Sequence, residues 1–192
     1  MTHHVIYVPG LGDAKPQGQH LVTWLWRVHG LRGHYIPMHW ADGEAYAPKL
    51  QRLLDKIDEL GARGDRVSLI GTSAGASSVL NAYAARRQAV TAVVCICGKI
   101  QHPETVHQRT FSENPAFETS LHQAQTSLKQ LTMQDRSHIL SIHPKSDNVV
   151  PVADTIINGA VERTIPTTGH SPSIAYALTV GMATIAQFIK RV

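Results

Sequence analysis

Six short apolar runs alternate along this chain with segments whose apolar residues recur at helical spacing, and this alternation constrains the fold more than any other feature. The runs are Val5–Val8, Tyr35–Met38, Val67–Ile70, Ala92–Cys97, Ile139–His143 and Val161–Ile165. Most lack strict polar alternation, as strands covered on both faces do. Between them, Leu50, Leu53, Leu54, Ile57 and Leu60 fall on one stripe, with Asp55, Lys56, Asp58 and Glu59 outside it. Leu21, Leu25 and Val28 make a shorter stripe, and Val79, Leu80, Tyr83 and Ala84 follow the third run. Pro151 opens a pattern of Val152, Ala153, Ile156, Ile157 and Ala160; Ile174, Leu178, Ile185 and Ile189 mark the last helix. Strict β–α alternation implies parallel strands joined by right-handed crossovers. The expected fold is therefore α/β: a doubly wound, mostly parallel six-stranded sheet with helices on both faces, in three α/β/α layers. No repeat or linker divides it, so residues 1–192 read as one domain.

One connection, residues 98–137, is longer than alternation needs. Within it Phe117, Leu121, Ala124, Leu128 and Leu131 recur at helical spacing. Asn114-Pro115 suits a helix start, with Asn as cap and Pro at the first helical position. The pattern fits an ordinary crossover helix and a small cap over a site equally well.

In open α/β sheets, function gathers at the carboxyl ends of the strands. After the third run comes Gly71-Thr72-Ser73-Ala74-Gly75. A strand, a sharp turn between small residues and a following helix together make a nucleophile elbow, which sets a serine hydroxyl at the positive end of a helix. Asp147 follows the fifth run in His143-Pro144-Lys145-Ser146-Asp147, where a carboxylate can orient an imidazole. After the sixth run, His170 stands between Gly169 and the start of the last helix. One histidine among twelve says little by itself. Serine, aspartate and histidine in that order, each after a separate strand, are far more specific. The glycine-rich turn Pro9-Gly10-Leu11-Gly12-Asp13 lets backbone approach the serine, so the Leu11 and Ala74 amides are the expected oxyanion donors.

Other chemistries fit less well. Gly10 and Gly12 begin a dinucleotide fingerprint, with Asp42 after the second run, but the third glycine would fall at Lys15. His102, Glu104 and His107 lack a shared helical face, and Pro103 breaks the segment, so they read as loop residues rather than metal ligands. His143 reads as a satisfied histidine at a strand end. The net charge of +4 is dispersed, which argues against nucleic acid as the main partner. Cys95 and Cys97, two apart on a strand, would face one side about 6.5–7 Å apart, a poor disulfide geometry. Reduced thiols and the lack of a secretory pattern point to the cytoplasm. No apolar stretch is long enough to insert across a membrane.

The segments "YVPGLGD", "LIGTSAG", "KSDNVVP" and "TTGHSPS" resemble the α/β-hydrolase superfamily, and the resemblance covers nearly the whole chain. It implies Ser73 as nucleophile, His170 as general base, Asp147 as its orienting acid, and an oxyanion hole at Leu11 and Ala74. It also implies the sheet order 2-1-3-4-5-6, counting this chain's own strands. Pro9 stands where many lipases have a histidine, and the cap is at most one or two helices. The expected activity is hydrolysis of a small acyl substrate, a short or medium carboxylic ester, without cofactor or metal. Thioester, amide and peptide substrates suit the same machinery, and a binding or scaffold protein can keep such a fold with little activity. Oligomeric state stays open.

Overall fold

The computed structural model describes residues 1–14 and 18–192. Lys15, where the dinucleotide fingerprint fails, lies outside them. Strands β1 (His3–Val8), β2 (Arg32–Tyr35), β3 (Arg66–Thr72), β4 (Val90–Ile96), β5 (Ile139–Ser146) and β6 (Val161–Thr168) form one sheet in the order β2-β1-β3-β4-β5-β6. Every neighbouring pair is parallel.

Helices cover both faces. Helices α2 (Tyr46–Gly61), α3 (Gly75–Ala85) and α5 (Pro115–Gln130) share a core with Ile6, Val8, Leu69 and Val93. On the opposite face, Val5, Tyr7, Ile70 and Val94 meet α7 (His170–Leu178) and α8 (Met182–Arg191). Trp26 joins them from the short 3-10 turn that follows α1 (Gln19–Leu25). Alternate residues of one strand thus feed two cores, which is why the runs read as continuously apolar.

Four expectations change. The second strand is Arg32–Tyr35, and only Tyr35 of Tyr35–Met38 belongs to it. It is an edge strand, and Gly33 lets α1 pack against it: a Cβ there would lie 2.5 Å from the Thr23 carbonyl oxygen. The polar sequence of an edge strand hid it from an apolar search. The Leu21, Leu25 and Val28 stripe faces solvent, with Leu21 62%, Leu25 44% and Val28 79% exposed. Trp26 takes the buried place instead, packing on Tyr7 and donating its indole N–H to the Leu178 carbonyl at 3.1 Å. The pattern after Pro151 yields a single 3-10 turn, Val152–Thr155, and the chain then turns at Gly159, whose φ of 89° a side chain resists. The last helix is two, α7 and α8, meeting at 61°.

Cys95 and Cys97 are also not on one side. Cys95 lies in the core beneath α3, Cys97 in the core beneath α8, because Cys97 leaves the strand with φ 48°. Both thiols are free and buried. No single helix among the described residues is long and apolar enough to cross a membrane.

The long connection holds α4 (Gln108–Glu113), α5 and α6 (Met133–Ser137). Pro115 opens α5 as expected, but Asn114 does not cap it: its side chain donates back to the Thr110 carbonyl at 3.0 Å. Helix α5 packs on α2 and α3 with its whole apolar stripe buried, Leu121 and Ala124 completely. Small polar residues let the helices close: Ser120 bonds Ser77 at 2.7 Å, and Ser127 donates to Asn81 at 2.8 Å. Phe117 stands edge-on to Trp40, whose indole N–H reaches the Pro9 carbonyl at 3.3 Å. Leu121→Ala is expected to destabilise the fold by about 2–5 kcal/mol, the range for emptying a buried leucine site. Denaturant titration reads that loss. A change in acyl-chain preference with stability intact would instead make α5 a lid.

Candidate active site

The apolar strand β3 runs into Gly71 and Thr72, then turns sharply into α3 at Ser73. Ser73 has φ 51°, a left-handed conformation that costs a non-glycine residue roughly 1–3 kcal/mol and persists only where packing enforces it. The glycines explain the enforcement. A Cβ on Gly71 would lie 2.7 Å from the Ala76 Cα, and one on Gly75 2.6 Å from the Pro9 carbonyl oxygen. Strand, turn and helix therefore approach at distances only glycine permits. The Ser73 carbonyl accepts from the Ala76 amide and from the Lys99 amide at 3.0 Å, and its own amide donates to Ile96.

Asp147 and His170 arrive from β5 and β6. The Gly169 amide donates to the Ser146 carbonyl at 2.8 Å, tying the two loops together. Asp147 Oδ1 accepts from the amides of Val149 at 2.8 Å and Val150 at 3.0 Å. Its Oδ2 lies 2.7 Å from His170 Nδ1, and His170 Nε2 lies 2.9 Å from Ser73 Oγ. A carboxylate only accepts, so Nδ1 carries the ring proton and Nε2 is left to accept from the hydroxyl. The Asp147 carboxylate is fully buried, whereas Ser73 is half-buried and open to a reactant. The arrangement can remove a proton from Ser73 and hold the resulting imidazolium beside a fixed negative charge.

The turn and the helix start that carry the two expected amide donors both adjoin this serine. Ala74 directly precedes α3, and the first N–H groups of a helix lack intrahelical acceptors. A Cβ on Gly10 would fall 3.2 Å from Ser73 Oγ, so the backbone entering Leu11 passes against the hydroxyl. Leu11 itself is exposed on the turn after β1. Buried Asp13 holds that turn, accepting from the amides of Met38 and His39, each at 2.7 Å.

Two further features had no clear sequence signal. Lys99 and Asp154 form a buried ion pair between the loops after β4 and β5. Lys99 Nζ also donates to the His102 carbonyl at 2.8 Å and Thr105 Oγ1 at 2.6 Å. Asp154 looked like a helix residue; only long-range geometry shows what it anchors. Second, a Cys97, an Asp147 and a His170 ligand atom lie within 4.8 Å of one another. Burial and the Asp147 charge push the Cys97 thiol up to about 12, so it stays protonated near neutrality. With Asp147 already accepting three hydrogen bonds, this group works as a packed network rather than a vacant ligand set.

Strand β5 continues past His143 to Ser146, so this histidine lies inside the strand rather than at its end; it is buried and donates Nδ1–H to the Pro144 carbonyl at 3.0 Å. His102 pairs with Glu104 at 3.0 Å on the surface, and His107 caps α4.

No protein-family profile and no curated protein matches the sequence. Solved structures do match it. Est1E from Butyrivibrio proteoclasticus shares 17% identity over 99% of this chain and 88% of its own, with a TM-score of 0.70. A structure from the work on LipS and LipT, two metagenome-derived lipolytic enzymes, shares 13% over 99% and 94%, with a TM-score of 0.72. The ydeN gene product from B. subtilis shares 14% over the whole of both chains, with a TM-score of 0.70. The chain has the α/β-hydrolase fold, over its whole length and with the strand order that the sequence motifs imply.

Proposed function

We propose that the protein is a serine hydrolase cleaving a carboxylic ester of short or medium acyl length. One observation carries the reading: the continuous hydrogen-bonded chain from Asp147 through His170 to a serine in strained backbone at a helix start. In the proposed reaction Ser73 Oγ attacks the ester carbonyl as its proton passes to His170 Nε2. The amides of Leu11 and Ala74 bind the oxyanion. The leaving alcohol takes the proton from His170, and an acyl-enzyme forms. Water then loses a proton to His170 and attacks the acyl group, and that proton returns to Ser73 as the acid departs. No step requires a cofactor.

Similarity to structures of lipolytic enzymes supports an ester substrate. Burial of the α5 stripe supports the short-chain preference, because that helix offers no apolar wall to a long chain. On this reading residues 1–192 act as one domain on a small acyl substrate, and the free thiols suit a reducing cytoplasm. The test joins labelling by a serine-reactive organophosphonate with a panel of nitrophenyl esters graded in acyl length. Rapid labelling and turnover that falls with chain length are expected. Resistance to the phosphonate would make this a binding protein on a hydrolase fold.

A further inference from the structure

Far from Ser73 in the sheet, the amino ends of β1 and β2 carry a second feature. A cavity of about 330 Å³ opens between α1, the edge strand β2 and the end of α2. Arg27, Arg32, Lys56 and Arg63 line it together with the imidazoles of His4 and His34, and no described carboxylate does. Two acids already pair with lining residues, Glu59 with Lys56 and Arg63, and Asp65 with His4, which leaves Arg27 and Arg32 as the cations open to a ligand. Arg27 and Arg32 form no ion pair among the described residues. Such a cavity is complementary to a phosphate-bearing anion.

Trp24 forms one wall of the cavity, with the Arg27 guanidinium 5.7 Å from its ring centroid. The same residue belongs to an outward apolar stripe that runs along α1 into the 3-10 turn after it. Leu21, Trp24, Leu25 and Val28 recur at helical spacing, and Trp24 is 55% exposed. Apolar side chains beside basic ones, with a tryptophan between, are the pattern of segments that lie in the plane of a membrane interface. A second copy of the chain is the weaker occupant. Four such side chains present on the order of 400 Å², about half of what each partner buries in a stable protein interface, and a cation-lined cavity beside them repels its own copy.

We propose that α1 and this cavity dock the protein on a bilayer surface containing anionic lipid. A lipid phosphate enters the cavity, Leu21, Leu25 and Val28 enter the headgroup–acyl boundary, and no helix crosses. This docking is peripheral and does not depend on the chemistry assigned to Ser73.

Tryptophan emission provides the test, because Trp26 and Trp40 are each only 1% exposed and Trp24 dominates any surface response. The whole protein is mixed with phosphatidylcholine vesicles, with and without one-third phosphatidylglycerol. Emission should shift to shorter wavelength, and sedimentation with vesicles should rise at least about tenfold, only with the anionic lipid and more at low salt. Trp24→Phe should remove the shift while the protein still sediments. Leu21→Ser with Val28→Ser should lower binding about tenfold, and Arg27→Gln with Arg32→Gln should remove the preference for phosphatidylglycerol. Phosphonate labelling and melting temperature check that each variant is folded. Equal binding to both vesicles would overturn the proposal. So would binding of inorganic phosphate without vesicle binding, which makes the cavity a free-anion site. A dimer sensitive to Leu21→Ser in the absence of vesicle binding would assign the face to a second copy.

Discussion

Ser73→Ala is expected to abolish organophosphonate labelling and to lower ester turnover by about 10³-fold or more, as loss of one member of a group acting as a unit does. The substitution keeps the Cβ that packs near Gly10 and removes only the hydroxyl that His170 Nε2 accepts from. Folding should therefore be retained, and a normal melting curve makes the loss a chemical one. Ser73→Gly sharpens the test. It loses the same oxygen but also relieves the left-handed backbone at φ 51°, so it should melt above Ser73→Ala. Labelling that persists at an unchanged rate in either variant would remove Ser73 from the chemistry.

Asp147→Asn is expected to cost about 10³–10⁴-fold in turnover, with nearly unchanged ester binding. The direction follows from the two oxygens having different partners. Oδ1 takes two backbone amides, so the Asn carbonyl must stay on that side. The amide NH₂ then faces His170 Nδ1, which becomes an acceptor. The ring proton moves to Nε2 and points at Ser73, so the imidazole can no longer take the hydroxyl proton. Flipping the amide would restore Nδ1–H but set NH₂ against two backbone N–H groups. A loss smaller than tenfold would mean that another group orients the imidazole.

The residues proposed for chemistry were legible because each carries a local signal. An apolar strand that ends in a glycine-bounded turn is recognisable within a few positions, which is how Ser73 shows itself, and Asp147 and His170 gain their signal from following later strands in the order serine, aspartate, histidine. The central strands were legible for a related reason: burial on both faces leaves a continuous apolar run. What stayed hidden depends on partners distant in sequence. Lys99 and Asp154 stand 55 positions apart, and neither segment has a pattern that announces the other. Asp13 reads as a turn residue until Met38 and His39 are seen donating to it. Edge strand β2 lost out to the more apolar residues that follow it. The α1 stripe went wrong because the helix ends at Leu25, and it is Trp26, in the 3-10 turn that follows, that is buried instead.

The bond between Ser73 and His170 spans 97 residues, and its imidazole follows β6, the strand at the far edge of the sheet. Contacts of such separation form only after a long loop closes, and chains fold progressively from the amino end as they are synthesised. Ser73 thus emerges from the ribosome with its strand and helix well before any base can reach it. During that interval its hydroxyl is an ordinary alcohol. The proposed reaction therefore has to wait until β6, the last strand of the sheet to be synthesised, has docked at its edge.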